Sequence, residues 1–340
     1  MWYERLIDYG HLPDFALRFF VRVGLNKFTN RASRLSAQEL KELHGVFQRT
    51  CIDSPIAVHT MEANDQHYEL PVGFFEKVLS SSMKYSGSLW GEEVEDLTEA
   101  EKATLRVYLK RASIENGQSV LDLGAGWGAL SLEIARAHEN SSVTSVTNSS
   151  LQKEYLEGKI AGENLKNIEV LKTDINNLEP RFKYDRVVSI EMFEHLRNPA
   201  ALISRISDWL SPDGKLFIQV FSHKNFPQHF DNRENSWMAK HFFTGGMMPY
   251  DGFYSELPSQ LRLERTWVES GMDYHKTLEC WLKKLDSNRS KIVEQLEETL
   301  SPQSSRIYMN RYRLFLIFCS ELFRFNRGND WHLMQYLFSK

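Results

Sequence analysis

The stretch LDLGAGWG, residues 121–128, is the part of the sequence from which the fold can be predicted. Residues 119–124 (SVLDLG) are a short apolar run typical of a buried strand, and residues 129–138 (ALSLEIARAH) have the apolar spacing of a helix. Gly124, Gly126 and Gly128 lie between them. Glycines at such a turn serve either a tight steric bend or a ligand held at the positive end of the helix. The stretch therefore predicts a strand–turn–helix unit, with a binding site as one of two interpretations of its glycines.

The same alternation of strand and helix patterns continues beyond this unit. Strands that alternate with helices are typical of a parallel sheet covered on both faces. We therefore predict an α/β fold with a seven-stranded, mostly parallel sheet. The predicted strands are 119–124, 142–147, 168–174, 185–191, 214–221, 261–270 and 331–340, and the helices between them include 129–138, 151–165 and 198–210.

The segments on either side of this alternation have different patterns. Apolar residues at three- and four-residue spacing predict early helices at 14–25, 36–48, 67–79 and 97–114, with Ser36 and Thr98 as N-caps. The stretch that follows residue 222 is rich in aromatics, Met and Gly and has no clean period. The predicted regions are an N-terminal helical cap (1–100), a core (101–222), and a substrate lid with C-terminal helices and strands that complete the sheet (223–340).

Composition narrows the class of protein. The 340 residues are 42% hydrophobic and carry 41 basic and 45 acidic side chains, a net charge of -4 without a strong basic run. Nucleic acid is therefore not an expected partner. Cys51, Cys280 and Cys319 lack metal-ligand or disulfide spacing, so we expect reduced thiols and no metal site. The apolar segment 314–323 is too short to span a bilayer, and residues 1–10 lack a secretory pattern. These features predict a cytoplasmic, metal-free globular protein without integral membrane association.

The spacing of the glycines distinguishes between cofactors. Nicotinamide-binding turns use GxGxxG, usually with an acidic residue after the second strand. Here the spacing is GxGxG, Asp122 precedes it, and the second strand ends in Thr147-Asn148-Ser149. A Walker phosphate loop is excluded because no Gly-Lys-Ser/Thr follows. Hydride transfer is therefore disfavoured.

DLGAGWG resembles motif I of the Rossmann-like class I methyltransferases, which use S-adenosylmethionine, and Asp174 in KTDI lies where their adenine-contacting acid does. Their usual acid after the second strand is missing. One branch shares this departure and has a Gln on the next helix, similar to VTNSSLQ with Gln152. That branch contains the cyclopropane fatty acid synthases and the coclaurine-type N-methyltransferases.

Further stretches resemble the coclaurine type, so that the resemblance covers nearly the whole chain. They include residues 3–18 (YERLIDYGHLPDFALR), 67–90 (with Tyr85 and Ser86, the pair that lies over the cofactor), 189–198 (SIEMFEHLRN) and 326–338 (NRGNDWHLMQYLF). The resemblance implies that S-adenosylmethionine is the cofactor. The cofactor-binding residues that it implies are Tyr85, Ser86, Asp122, Gly124, Gly126, Thr147, Asn148, Gln152, Asp174 and Ile175.

The cyclopropane synthases resemble the chain less closely. In that group a Cys follows the Tyr-Ser pair and a His ends the fifth strand, and both help to hold bicarbonate. Here these positions are Gly87 and Val220, whereas Glu194 and Tyr274 of the same site are retained. This favours an N-methyltransferase acting on a small amine. A lipid-modifying enzyme that methylates or cyclopropanates an unsaturated acyl chain is the alternative, and a non-catalytic cofactor-binding scaffold is a third interpretation.

SIEMFEHLRN places Glu191, Glu194 and His195 at the end of a predicted strand. An amine attacks a methyl group only through its lone pair, so a base that removes the ammonium proton assists the transfer. His195 suits that role. Glu194 is expected to orient the imidazole, accept the proton or attract the amine, and Glu191 lies where open α/β sheets bind ligands. Taken alone, the same three residues are more typical of an ordinary helix start, where carboxylates favour the helix dipole; the family resemblance reverses this and favours catalysis.

The substrate pocket is the least constrained prediction. Trp237, Phe242 and Tyr254 lie in the aperiodic segment and Tyr274 in a family-like stretch, and all four are predicted to line the pocket. Aromatic rings there suit either an amine cation or simple packing of a lid on the core. The oligomeric state is left open, a homodimer included.

Overall fold

The protein is described by a computed structural model that covers residues 4–58, 70–231 and 236–340. A seven-stranded sheet has the order β3-β2-β1-β4-β5-β9-β8, and a two-stranded ribbon pairs β6 with β7. The strands are β1 (Ser119–Leu123), β2 (Ser142–Thr147), β3 (Ile168–Lys172), β4 (Tyr184–Ile190), β5 (Leu210–His223), β6 (Gln228–His229), β7 (Met247–Met248), β8 (Arg262–Glu269) and β9 (Trp331–Ser339).

Helices cover the sheet and form the N-terminal cap. In chain order they are α1 (Glu4–Asp8), α2 (Asp14–Ala32), α3 (Ala37–Ile52), α4 (Val72–Val78), α5 (Leu97–Arg111), α6 (Ala129–Ala137), α7 (Ser150–Gly162), α8 (Pro199–Trp209), α9 (Trp237–His241), α10 (Phe253–Glu256), α11 (Gly271–Ser287), α12 (Arg289–Glu297) and α13 (Pro302–Arg324). Short 3₁₀ turns lie at Ile175–Asn177, Phe193–His195 and Phe325–Gly328.

The predicted fold class is confirmed. Strands β3, β2, β1, β4 and β5 pair in parallel, and β9 runs antiparallel to both β5 and β8. Because β1 to β5 run in the same direction, their carboxyl ends lie at one edge of the sheet. The glycine turn after β1 and the Glu191–His195 segment after β4 therefore lie next to each other.

Helices occur in all four predicted early segments, but α2 continues to Ala32, seven residues beyond its predicted end. Ser36 caps α3 with a reciprocal capping box to Glu39, as its sequence indicates. Thr98 was predicted to cap α5, and this is wrong: Asp96 holds the extended cap position, and its carboxylate accepts from the backbone N–H of Glu99. Residues 67–69, the beginning of the helix predicted at 67–79, lie outside the described residues.

Ion pairs attach the N-terminal cap to the C-terminal helices. Arg18 of α2 contacts both Glu279 of α11 and Glu321 of α13, and Arg22 contacts Glu321 as well. Arg313 of α13 contacts Asp14. Glu321 is buried, so it depends on these guanidinium partners. This network places the apolar face of α2 over the carboxyl edge of the sheet.

Among the described helices, none is both long enough and apolar enough to cross a membrane.

Candidate active site

Two cavities meet at the carboxyl edge of the sheet. The smaller has a volume of about 170 Å³ and lies over the glycine turn, and the larger, of about 840 Å³, lies under α2 and the lid segment. Tyr85, Glu191 and His195 line both cavities. These three side chains therefore lie between a ligand in one cavity and a ligand in the other.

The glycine turn shapes the floor of the smaller cavity. Gly124, Gly126 and Gly128 all have positive φ, at 73°, 57° and 84°. A Cβ on Gly124 would lie 2.6 Å from Cγ of Met192, so the turn tolerates no side chain there. A Cβ on Gly126 would meet nothing closer than a carbonyl oxygen at 4.0 Å, which leaves space above the turn. The glycines thus serve both interpretations offered by the sequence: a strained turn and close access for a ligand.

The structure brings all the predicted cofactor-binding residues together around this cavity. The residues that line it include Tyr85, Ser86, Asp122, Gly124, Gly126, Thr147, Asn148, Gln152, Asp174 and Ile175. Thr147 Oγ1 donates to Gln152 Oε1 at 2.6 Å, which turns the Gln152 amide nitrogen away from Thr147. That nitrogen is buried and has no hydrogen-bond partner among the described residues. An orphaned donor beside an open glycine turn fits a polar, adenosyl-type ligand.

Asp122 lies beneath the turn. Its carboxylate accepts from the Ser131 hydroxyl at 2.6 Å, and burial raises the pKa of Asp122 to about 6. The side chain of Asp174 caps the 3₁₀ turn that begins at Ile175, where Oδ1 accepts from the backbone N–H of Asn176 at 2.8 Å. Both acids therefore have a local structural role as well as a place in the cavity wall.

Glu191 is the most extensively hydrogen-bonded of the three predicted catalytic residues. Its Oε1 accepts from the backbone N–H of Gly87 and from Gln219 Nε2, both at 2.9 Å, and its Oε2 accepts from the Tyr274 hydroxyl at 2.7 Å. Its φ of 52° lies in the left-handed region, which is strained for a residue with a side chain. Burial raises the pKa of Glu191, and Lys84 opposes this rise.

His195 lies where the two cavities meet and lines both of them. Its imidazole stacks on Phe243, with ring centroids 5.0 Å apart and planes 20° from parallel. Burial lowers the pKa of His195 to about 4. The ring is therefore neutral near pH 7 and has one acceptor nitrogen.

Glu194 is placed differently from its two neighbours. It is fully buried, and it is absent from the described lining of either cavity. Its Oε1 accepts from the backbone N–H of Phe221 at 2.6 Å, whereas Oε2 has no partner among the described residues. Burial, reinforced by Glu191, raises the pKa of Glu194 well above its ordinary value. The carboxyl group ties the 3₁₀ turn that carries His195 to strand β5.

The larger cavity is almost wholly apolar. Of the predicted substrate residues, Trp237 and Tyr274 line it. The structure places Phe242 and Tyr254 elsewhere: Phe242 stacks on Phe315 at 4.5 Å, and Tyr254 packs against Tyr336 at 5.6 Å in the core. Phe242 therefore packs on helix α13 and Tyr254 on strand β9, and the two rings belong to separate parts of the core.

Sequence reasoning missed several lining residues. They include Leu17, Phe20 and Val21 of α2 and Phe315, Phe318 and Leu322 of α13. Their helical spacing predicted an apolar face, but a face that packs on a core has the same pattern as one that lines a cavity. Lys84, Tyr108 and Met192 of the smaller cavity were missed for the same reason, since each belongs to a segment that also packs internally.

The sheet, the glycine turn and the orphaned Gln152 amide define a class I S-adenosylmethionine-dependent methyltransferase. Residues 57–333 match the family model described as mycolic acid cyclopropane synthetase. The chain belongs to this family, and it is an S-adenosylmethionine-dependent N-methyltransferase.

The relatives support this assignment over the full length. The (S)-coclaurine N-methyltransferase of Thalictrum flavum subsp. glaucum is 33% identical over an alignment of 340 positions, which covers 98% of this chain and 94% of the relative. The (S)-tetrahydroprotoberberine N-methyltransferase of Eschscholzia californica is 34% identical over 82% of this chain and 80% of its own length.

Solved structures agree. A coclaurine N-methyltransferase bound to N-methylheliamine and S-adenosylhomocysteine superposes with a TM-score of 0.94 at 33% identity, covering 99% of this chain and 98% of that chain. A mycolic acid cyclopropane synthase shares the fold, with a TM-score of 0.71 at 24% identity over 84% of this chain and 100% of that chain.

Proposed function

We propose that the enzyme methylates the nitrogen of a small amine that is cationic in solution and has an aromatic or otherwise apolar body. The observation that carries this proposal is the charge of the larger cavity. Among its described lining residues, Glu191 is the only carboxylate, and there is no Lys or Arg. The remaining lining is mainly aliphatic and aromatic. One anion at the inner end of an apolar cavity favours a monocation whose body is apolar.

The relatives are consistent with this substrate class. Their names identify (S)-coclaurine and (S)-tetrahydroprotoberberine as the compounds they methylate on nitrogen, and the superposed enzyme holds N-methylheliamine. We therefore assign this enzyme an amine of the same general kind, secondary or tertiary, rather than a particular compound.

The proposed chemistry places His195 as the base. When bound, S-adenosylmethionine supplies an electrophilic methyl group. Near pH 7 the buried imidazole is neutral, so its acceptor nitrogen can take the ammonium proton. Glu191 lies on the boundary of both cavities, where its charge attracts the cation and then stabilises the imidazolium that proton transfer creates. Stacking on Phe243 fixes the plane of the ring.

Glu194 has an indirect role in this proposal. Its carboxyl group faces strand β5 rather than the described cavity lining, so direct proton abstraction from the amine does not fit its position. By accepting from Phe221 N, it holds the 3₁₀ turn on which His195 is presented. We assign Glu194 as a positioning residue for His195.

The proposal is tested by comparing amines that differ only in their apolar body. A cyclic amine fused to an aromatic ring is expected to have a kcat/KM about 30- to 150-fold above that of a short aliphatic secondary amine, since burying a ring contributes roughly 2–3 kcal/mol. Initial rates with labelled methyl donor measure both. Equal kcat/KM values would contradict the proposed use of the larger cavity.

The alternative, transfer to an unsaturated acyl chain with bicarbonate as base, conflicts with the space around Gly87. A Cβ there would lie 2.8 Å from Leu333 Cδ1 and 2.9 Å from Tyr274 Cγ. The side chain found at this position in cyclopropane synthases therefore has no room in this protein.

Gly87→Cys is accordingly expected to lower kcat/KM for an amine by about 10–100-fold without producing a cyclopropane. Overpacking costs about 1–3 kcal/mol, and here it displaces Tyr274, which donates to Glu191. Gly91→Ala in the same loop is the matched control, because a Cβ there meets only Val94 at 3.7 Å. Activity on amines equal to the control would contradict the argument from the space around Gly87, and a gain of acyl-chain activity would favour the lipid alternative.

A further inference from the structure

Gln219 holds Glu191 through two separate hydrogen bonds. Its backbone carbonyl accepts from Glu191 N at 2.8 Å, and its side-chain Nε2 donates to Glu191 Oε1 at 2.9 Å. Gln219 lies inside strand β5 and is fully buried. An amide with no exposure to water in a sheet needs partners on all sides, and these partners continue away from the active site.

A chain of buried hydrogen bonds extends from Gln219 across the sheet. Gln335 of β9 is its register partner, and Gln335 Nε2 donates to Gln219 Oε1 at 2.7 Å. The hydroxyl of Tyr108 donates to the same oxygen at 2.9 Å. Arg111 Nη1 then donates to Gln335 Oε1 at 2.5 Å and also pairs with Glu269.

The side-chain hydrogen bonds of this chain all donate in one direction, from Arg111 toward Glu191. Arg111 is a donor only, and an ionised Glu191 is an acceptor only, so each amide between them is oriented with its NH₂ group toward Glu191. Reversing either amide would bring two oxygens or two NH₂ groups together. The sequence of partners is therefore complementary to a carboxylate at Glu191, and it stabilises the ionised form.

We propose that Gln219 and Gln335 are positioning residues that hold Glu191 ionised and aimed at the amine. This inference rests on the proposed function, because it takes Glu191 as the group that attracts the cation. The two amides act through Glu191: neither of them is among the described residues that line a cavity. They also offset the strained φ of 52° at Glu191, which Gln219 holds from both the backbone and the side chain.

Some of the other influences on Glu191 raise its pKa and some lower it. Lys84 from the preceding loop, whose own Nζ donates to the carbonyl oxygens of Ser86 and Gly87, favours the carboxylate. Burial opposes it. The titratable groups around Glu191 are Lys84, Tyr108, Tyr274, Glu194 and His195. Of these groups only Tyr108 bonds to Gln219, and burial raises the pKa of Tyr108 well above its ordinary value, so it carries no charge in the acid-to-neutral range. A change in the ionisation of Glu191 in those variants therefore reports the amide hydrogen bonds.

The test uses a cation without a titratable proton. Binding of N,N-dimethyltetrahydroisoquinolinium to the enzyme is measured by titration calorimetry at a series of pH values from acid to neutral. Because this cation does not titrate, any pH dependence of its affinity comes from the protein. Gln219→Leu is expected to move the acid midpoint of binding upward by about one pH unit, because one hydrogen bond to a charged group is lost. Gln335→Leu is expected to move it in the same direction by less.

Two reference variants make the outcome specific. Gln48→Leu removes a glutamine that bonds Tyr250 and Glu256 away from both cavities, and it is expected to leave the midpoint unchanged. Glu191→Gln is expected to remove the pH dependence. Thermal melting checks that each variant folds, and Gln335→Leu, which does not touch Glu191, keeps the test valid if Gln219→Leu does not fold.

The experiment distinguishes a failure of the proposed function, in which Glu191 attracts the cation, from a failure of the positioning role of Gln219 and Gln335. If Glu191→Gln binds the cation as wild type does, the proposed function of Glu191 is wrong. If Glu191→Gln loses binding while both Leu variants keep the midpoint of Gln48→Leu, only the positioning role is overturned.

Discussion

His195→Ala is expected to lower kcat/KM for an amine at pH 7 by about 10²–10⁴-fold, the range that a general base contributes. The loss is expected to shrink as the pH rises. Burial lowers the pKa of His195 to about 4, so the wild-type imidazole is already in its neutral, basic form above that pH. His195 protonation therefore limits the wild-type rate only on the acid side, near its pKa. In the variant the amine must lose its proton to water, which becomes easier as the pH approaches the pKa of the amine.

The measurement is the pH profile of kcat/KM for His195→Ala beside wild type. His138→Ala is the control, because His138 caps α6 outside both cavities. A loss of the same size at every pH would show that His195 only shapes the cavity, and an activity equal to the control would remove it from the mechanism altogether.

Glu191→Gln is expected to raise KM for a cationic amine by about 30-fold or more, since removing one partner of a buried charge pair costs about 2–5 kcal/mol. Gln has nearly the same shape as Glu, but its NH₂ group would oppose one of the donors from Gly87, Gln219 or Tyr274. The variant therefore loses both the charge and the arrangement of the site.

Steady-state kinetics separate these effects from a general loss of structure. The KM for S-adenosylmethionine is expected to change less than the KM for the amine, because the glycine turn and Gln152 remain intact. Glu163→Gln, which removes a surface partner of Arg136, is the matched control. An unchanged KM for the amine would contradict cation recognition by Glu191.

The sheet and the cofactor cavity could be predicted because their signals are local. A strand–glycine–helix pattern needs only a few neighbouring residues to specify it, and strand β2 was predicted at its observed bounds, 142–147. Parallel pairing then brings the ends of β1, β2 and β4 to one edge without further information.

The environment of Glu191 could not be predicted because its partners are distant in the chain. Gln219 and Gln335 are separated by 116 positions and meet only through the antiparallel pairing of β5 with β9. In a sequence, each is one polar residue in an apolar strand, and nothing indicates which neighbour satisfies its amide. The strained φ at Glu191 is likewise set by these contacts and not by its own residue type.

The sequence also could not predict which aromatic side chains of the lid segment face the cavity and which face the core. In an element with a regular period, the position of a side chain follows from its spacing. The segment that carries Trp237, Phe242 and Tyr254 has no such period, and the structure turns one ring into the cavity and two into the core. The cap of α5 shows the same limit on a smaller scale, because Asp96 and Thr98 are both suitable N-cap residues and only the backbone conformation selects Asp96.

The most direct test of the central claim follows the transferred methyl group. The purified enzyme is incubated with S-adenosylmethionine carrying a deuterated methyl group, together with an aromatic-fused cyclic amine and vesicles of an unsaturated phospholipid, and both products are analysed by mass spectrometry. We expect the label on the amine nitrogen and unlabelled acyl chains. Label in the acyl chains, with none on the amine, would contradict the assignment of this enzyme as an amine methyltransferase.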